Sequence, residues 1–124
     1  VLLVDDSAAT RRLMARLLRK EGVEVGEAAD GQAAVEAVLG APPNTYRLIF
    51  LDKEMPIMDG HGAATKLREA GVTTRILGLT ANALPAQIAD FKRHGVDAVL
   101  TKPVSRAELR RALHEAGLIE LPPT

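Results

Sequence analysis

The sequence predicts an α/β domain, a five-stranded parallel sheet with helices on both faces. Three observations carry this reading. Short apolar runs recur as "VLLV" (1–4), "VEV" (23–25), "RLIFL" (47–51), "RILGL" (75–79) and "DAVL" (97–100). Their starts lie 22, 24, 28 and 22 residues apart, which leaves room each time for one crossover helix. Between the runs the apolar spacing changes to a helical period. Short strands alternating with helices are the pattern of βαβ units.

Taken in order, the first strand, "VLLV", is apolar on both faces, as an interior parallel strand should be. Ser7 can cap the first helix, whose apolar stripe is Leu13, Met14, Leu17 and Leu18. "VEVGE" alternates, which puts the second strand at an edge. Asp30 caps the second helix, and "APPNT" (41–45) is a connecting loop. The third and fourth strands, "LIFL" and "ILGL", are again apolar on both faces and central. Asp59-Gly60 turns the chain into the third helix. The fifth strand is short and forms the other edge. Ser105 and Glu108 make a capping box for a fifth helix striped by Leu109, Ala112, Leu113 and Ala116. Gly22, Gly40, Gly71, Gly95 and Gly117 stand where five helices close, each expected in the left-handed conformation. Two edge strands and right-handed crossovers give the order 2-1-3-4-5, a flavodoxin-like arrangement. The domain is expected to fill residues 1–117, leaving 118–124 as a C-terminal tail or linker.

Composition narrows the function. The 124 residues are enough for one domain with a substantial core. Sixteen basic side chains balance sixteen acidic ones, so no net field draws the chain to nucleic acid or an anionic membrane. Without cysteine there is no disulfide framework, thiol nucleophile or cysteine metal site, which fits a cytoplasmic protein. No apolar run approaches the roughly 18 residues of a membrane span. His61, His94 and His114 fall in unrelated segments without metal-ligand spacing and read as surface residues.

In such a sheet, ligands bind beyond the carboxyl ends of the strands, at the crevice where the winding reverses. Strand one ends in Asp5 and Asp6, strand three in Asp52, strand four in Thr80, and strand five in Thr101-Lys102-Pro103. Three carboxylates converging there would repel one another. Lys102 offsets one charge, and one divalent cation would cancel the other two. Oxygen-only donors favour Mg²⁺. Two mechanisms stay open at this stage. Asp52 is a nucleophile that takes a phosphoryl group, helped by Lys102 and Thr80, or the cluster only holds a metal. Taken singly, each signal has a plainer explanation: an Asp pair caps a helix, Lys-Pro is a turn, Asp59-Gly60 is turn chemistry.

Together "LLVDDS", "LDKEMPIMDG", "GLTANA" and "VLTKP" resemble the receiver domain of two-component response regulators, over residues 1 to about 117. The wording of "DKEMPIMDG" and "TANALP" is most similar to plant response regulators and hybrid-kinase receivers. The resemblance implies that Asp52 accepts a phosphoryl group from a histidine on a kinase or phosphotransfer protein in a phosphorelay. It further implies that the domain catalyses its own Mg²⁺-dependent phosphorylation and dephosphorylation. Asp6 and Asp52 would ligate Mg²⁺ directly, with the Glu54 backbone carbonyl as a third ligand and Asp5 acting through a metal-bound water. Lys102 would contact the phosphoryl group and Thr80 would swing towards it, pulling the following loop. The Lys102–Pro103 bond would be cis, and Met55-Pro56 would fix the shape of the loop. Glu54 and Asn82 would flank the path of attacking water and tune the lifetime of the phosphoryl group.

The sequence departs from the family at Val99, where Tyr or Phe is usual, so output by an aromatic swing is not expected. Weak or altered signalling through the face of the fourth helix, fifth strand and fifth helix would follow, and a weak homodimer through that face is compatible with the resemblance. The main alternative is a degenerate, receiver-like docking module with little phosphorylation; the intact Asp5, Asp6, Asp52, Thr80 and Lys102 set speaks against it. A haloacid-dehalogenase-type phosphatase would need two aspartates separated by one residue after strand one, whereas Asp5 and Asp6 are adjacent. A dinucleotide-binding domain would need glycines that "DDSAAT" lacks. The chain begins within its first strand, which suggests trimming and suits either a free-standing receiver or one excised from a hybrid kinase.

Overall fold

The computed structural model describes residues 1–121; residues 122–124, the end of the expected tail, lie outside the described residues. The elements run β1 (Leu2–Val4), α1 (Ala8–Lys20), β2 (Gly26–Ala28), α2 (Gly31–Leu39), β3 (Leu48–Asp52), α3 (Gly60–Glu69), β4 (Arg75–Thr80), α4 (Pro85–Arg93), β5 (Ala98–Thr101) and α5 (Arg106–Glu115). All neighbouring strands pair in parallel, in the order β2-β1-β3-β4-β5. This is the flavodoxin-like fold that the run spacing and the two edge strands implied.

Strand alternation divides the core into two layers. Val4, Ile49, Leu51 and Ile76 face the side of the sheet covered by Ala34 and Val35 of α2, Ala63, Ala64 and Leu67 of α3, and Phe91 of α4. Leu3, Leu48, Phe50, Leu77 and Leu79 face the other side, under Met14 and Leu18 of α1 and Leu109 and Leu113 of α5. Because β1, β3 and β4 are covered on both faces, their sequences are apolar throughout rather than alternating.

The caps form as their chemistry requires. Ser7 Oγ accepts from the Thr10 amide at 3.3 Å, Asp30 Oδ1 from Ala33 at 2.8 Å, and Asp59 Oδ1 from Gly62 at 2.9 Å. Ser105 and Glu108 make a reciprocal capping box. At the end of the sheet away from the strands' carboxyl ends, Arg68 binds the carbonyls of Gly95, Val72 and Thr74 and the Asp97 carboxylate, tying α3 to the starts of β4 and β5.

Three local expectations need correction. The second strand forms at Gly26–Ala28 rather than over 23–25. Val23 and Val25 do pack against the α1/α5 side, but the ladder with β1 starts at Leu2↔Gly26. Alternation marks which residues face inward, not where pairing begins. Gly22, Gly71, Gly95 and Gly117 are left-handed, whereas Gly40 is right-handed at φ −82°. The chain after α2 turns further on, where Asn44 takes the left-handed conformation at φ 67°. Leu13, placed in the apolar stripe of α1, is 58% exposed. Beyond α5, Leu118 donates its amide to the Leu113 carbonyl, and Leu118 and Ile119 lean on the α1/α5 layer.

Candidate functional site

Parallel pairing delivers every strand's carboxyl end to one edge. The register Val4↔Leu51 sets Asp5 and Asp52 one step beyond paired residues, Asp52 pairs with Leu79, and Thr80 pairs with Thr101. The Lys102 amide then donates to the Thr80 carbonyl at 2.8 Å. Among the described residues, the buried polar side chains are Asp5, Asp52 and Thr80, and all three belong to this edge. An interior that is otherwise apolar concentrates its desolvation cost here.

Each carboxylate is held differently. Asp5 is fully buried. Its Oδ1 accepts from the Ser7 amide at 2.9 Å, and its carbonyl accepts from Arg11 Nη1 at 2.7 Å. Its Oδ2 has no hydrogen-bond donor among the described residues and faces Lys102 Nζ at 3.5 Å, an ionic contact too long for a strong hydrogen bond. Asp6 is exposed. Asp5, Asp6 and Asp52 each bring an oxygen within 4.8 Å of the others.

Asp52 Oδ1 lies 2.9 Å from Lys102 Nζ. Burial pushes the Asp52 carboxyl up to about 6; Lys102 pulls against this, and repulsion from Asp5 and Asp6 adds to it. Burial lowers the Lys102 ammonium, but Asp52 and Asp5 outweigh that, so its net shift is upward and it stays charged. Lys102 is followed by a cis peptide bond to Pro103.

The loop after β3 closes over this edge. The Lys53 amide donates to the Leu79 carbonyl at 2.9 Å, and Gly60 donates to the Lys53 carbonyl at 2.8 Å. A Cβ on Gly60 would collide with the Asp52 carbonyl, so only glycine lets α3 start this close to β3. Asp59 is occupied in capping α3. Glu54, Met55, Thr80, Ala81 and Lys102 line the resulting cleft with Asp6 and Asp52, about 410 Å³ in volume.

Thr80 does not point its bonding capacity into the cleft. Its hydroxyl donates to the Asn82 carbonyl at 3.2 Å and accepts from the Asn82 amide at 3.1 Å. Asn82 in turn accepts from the Leu84 amide through Oδ1 at 3.3 Å. Leu84, with no side-chain capping bond, and Pro85 begin α4. A chain of local bonds thus runs from Thr80 to the start of α4. Val99 packs half-buried against the α2/α3/α4 layer. The fully buried aromatic on this side is Phe91 of α4, set against β4, where a Cβ on Gly78 would clash with its ring.

The fold therefore brings Asp5, Asp6, Asp52, Glu54, Thr80 and Lys102 to one cleft, with Asn82 on its rim loop and Val99 set back under α4. Sequence reasoning missed Arg11, which holds the Asp5 carbonyl and pairs with Glu27 at 3.2 Å, and Lys53 in the cleft loop. The one signal for Arg11 is its position one turn beyond the Ser7 cap. His61 and His94, expected at the surface, are instead half-buried and stack on one another, while His114 is exposed as expected. Among the described residues no helix is long and apolar enough to cross a membrane.

Comparison with known proteins places this arrangement. The family model described as the response regulator receiver domain matches residues 1–114. The chain is 39% identical over 111 residues to the two-component response regulator ORR41 of Oryza sativa subsp. japonica, covering 88% of this chain and 87% of that protein. It is 36% identical to the osmosensing histidine protein kinase SLN1 of Saccharomyces cerevisiae, covering 93% of this chain but 10% of the kinase. Among solved structures, it resembles the receiver domain of the sensor histidine kinase PA1611 of Pseudomonas aeruginosa PAO1, which has a magnesium ion coordinated in its active-site cleft. The TM-score is 0.82 at 34% identity, over 94% of this chain and 95% of that one.

Proposed function

The chain belongs to the response regulator receiver family of two-component signalling, and from that membership we propose that Asp52 accepts a phosphoryl group from a phosphohistidine in a Mg²⁺-dependent phosphorelay step. The observation that carries this reading is the buried Asp52 carboxylate, one oxygen paired with Lys102, at the floor of an open cleft.

The donor set suits the cation. Three carboxylates converge with no nitrogen or sulfur ligand among them, and the buried Asp5 Oδ2 lacks a hydrogen-bond donor. Asp5, Asp6 and Asp52, with the Glu54 carbonyl, would hold Mg²⁺. When bound, the ion offsets the mutual repulsion of the carboxylates and the charge on phosphoryl oxygens.

The remaining steps belong to the chain itself. At neutral pH, above its raised value, Asp52 is largely ionised and its free oxygen attacks phosphorus. The new P–O bond forms as the P–N bond to the donor imidazole breaks, and that imidazole leaves with the electron pair and takes up a proton. Lys102, already at Asp52, follows the negative charge onto the phosphoryl oxygens. Thr80 can donate to one of those oxygens only by giving up the Asn82 carbonyl, which loosens the 81–84 loop and the start of α4. Val99, a small aliphatic side chain, leaves this loop as the route of output in place of an aromatic swing. Glu54 on the rim and Asn82 on the loop would set the lifetime of the phosphoryl group. The donor is a histidine kinase or a phosphotransfer protein, and the domain would act in a relay.

Intact mass after incubation with acetyl phosphate tests the proposal. One phosphoryl group should be gained with Mg²⁺, and none in EDTA or in Asp52→Asn. A gain that persists in Asp52→Asn would move the acceptor elsewhere. No gain from acetyl phosphate or from a phosphorylated histidine donor would leave a docking module as the better reading.

A further inference from the structure

His61 sits in the first turn of α3 and His94 directly follows α4, and the packing of the two helices brings their imidazoles together. The rings stack with centroids 4.2 Å apart and planes 13° from parallel. Asp90, one turn before His94, completes the group. Its Oδ2 lies 3.7 Å from His61 Nδ1, while Arg93 holds its Oδ1 at 3.1 Å. One ligand atom from each of the three residues falls within 4.8 Å of the others. We propose that His61, Asp90 and His94 form a second cation site, of the Zn²⁺ class, that clamps α3 to α4.

The supporting contacts have the form a metal site needs. His94 Nδ1 lies 2.8 Å from the Asp90 backbone carbonyl. A carbonyl only accepts, so Nδ1 donates there, which leaves Nε2 as the ring nitrogen available to a ligand. This is the outer-shell bond that usually orients a ligating imidazole. His61 Nε2 is buried without a hydrogen-bond partner among the described residues, at a ring whose other neighbour is Phe91, 5.1 Å away. A polar atom so placed is costly unless something satisfies it.

Two imidazoles and one carboxylate suit Zn²⁺, in contrast with the all-oxygen cleft. Tetrahedral zinc places its ligands about 3.3 Å apart, given bonds near 2.0–2.1 Å. A metal lies in the plane of each imidazole that binds it, so the two rings must turn out of their stack to share one ion, with water in the fourth position. The clamp would hold the helix that follows the Thr80 loop, and so would bias its position.

Co²⁺, a spectroscopic stand-in for Zn²⁺, tests the site. The full chain is titrated with Co²⁺ in excess Mg²⁺, which occupies the acidic cleft. One equivalent should bind with a visible d–d band that Zn²⁺ displaces. The band should vanish in His61→Gln and His94→Gln and remain in Asp52→Asn. Should either histidine variant lose its far-ultraviolet circular dichroism, the more exposed Asp90→Asn decides, and it should weaken Co²⁺ binding at least about tenfold, the loss that removing even an outer-shell partner causes. No band, a band indifferent to these variants, or a band lost in Asp52→Asn would overturn the proposal and leave the stacked pair as packing alone.

Discussion

The acidic cleft and the His61–Asp90–His94 cluster are both assembled from residues distant in sequence, but by different physics. The cleft is made by topology. Once the strands are parallel and ordered, Asp5, Asp52, Thr80 and Lys102 must meet, because each ends or follows its strand at the same edge. The histidine cluster is made by packing. His61 and His94 meet only because α3 and α4 lie side by side on one face with a particular rotation about each axis, which no strand register sets. The two also differ in electrostatics: the cleft carries excess negative charge in a buried setting, while the cluster sets two imidazoles against one carboxylate nearer the surface.

Perturbations should break this contrast in decreasing order. The largest effect falls on Asp52→Asn, which should abolish phosphoryl gain completely by intact mass while leaving Co²⁺ binding at the histidines intact. Loss of both would mean that the two regions are one coupled unit.

Next is Lys102→Ala. It leaves Asp5 and Asp52 buried without their cation, and breaking such a pair should destabilise the fold by about 3 kcal/mol in metal-free urea titrations, the low end because Lys102 is partly exposed. Added Mg²⁺ should recover part of that loss. An unchanged midpoint would mean that water already screens the pair.

A pH series follows. The folded value of Asp52, about 6, lies above its unfolded value of 3.8. Between the two the folded state binds more protons, so in EDTA stability should fall as pH rises through this window and level off above about 6. Asp52→Asn should flatten that slope, and a slope that persisted would have to come from another group.

His94→Gln should be nearly silent without metal, costing about 0.5 kcal/mol as a half-exposed site does, which would sharpen the difference from Lys102. A loss of several kcal/mol would make the cluster structural in its own right. The smallest change concerns the cleft loop. Ile57 is 83% exposed yet left-handed at φ 69°, a conformation costly for a β-branched residue. Ile57→Asn should therefore raise stability by about 0.5–1 kcal/mol in thermal melts. A drop would show that the isoleucine side chain is packed or contacted in solution.

The same contrast governs what could be read in advance. The spacing of apolar runs, the caps at Ser7, Asp30 and Ser105, and the polar residue after each strand encode the layers, the sheet order and the contents of the cleft. Each is a local signal, or a local signal carried across the sheet by parallel pairing. The second strand shifted to Gly26–Ala28 because pairing, not alternation, sets where a ladder begins. Gly40 stayed right-handed because a glycine permits reversal without requiring it.

The sequence by itself determined which groups stand at the strand ends, since chain order and a parallel sheet leave little freedom there. Only the tertiary structure decided that Thr80 spends its hydroxyl on Asn82, that Lys102 reaches both Asp5 and Asp52, and that His61 stacks on His94. Those contacts depend on rotamers and on helix rotation. Both are fixed by close packing across the whole core rather than by any single segment.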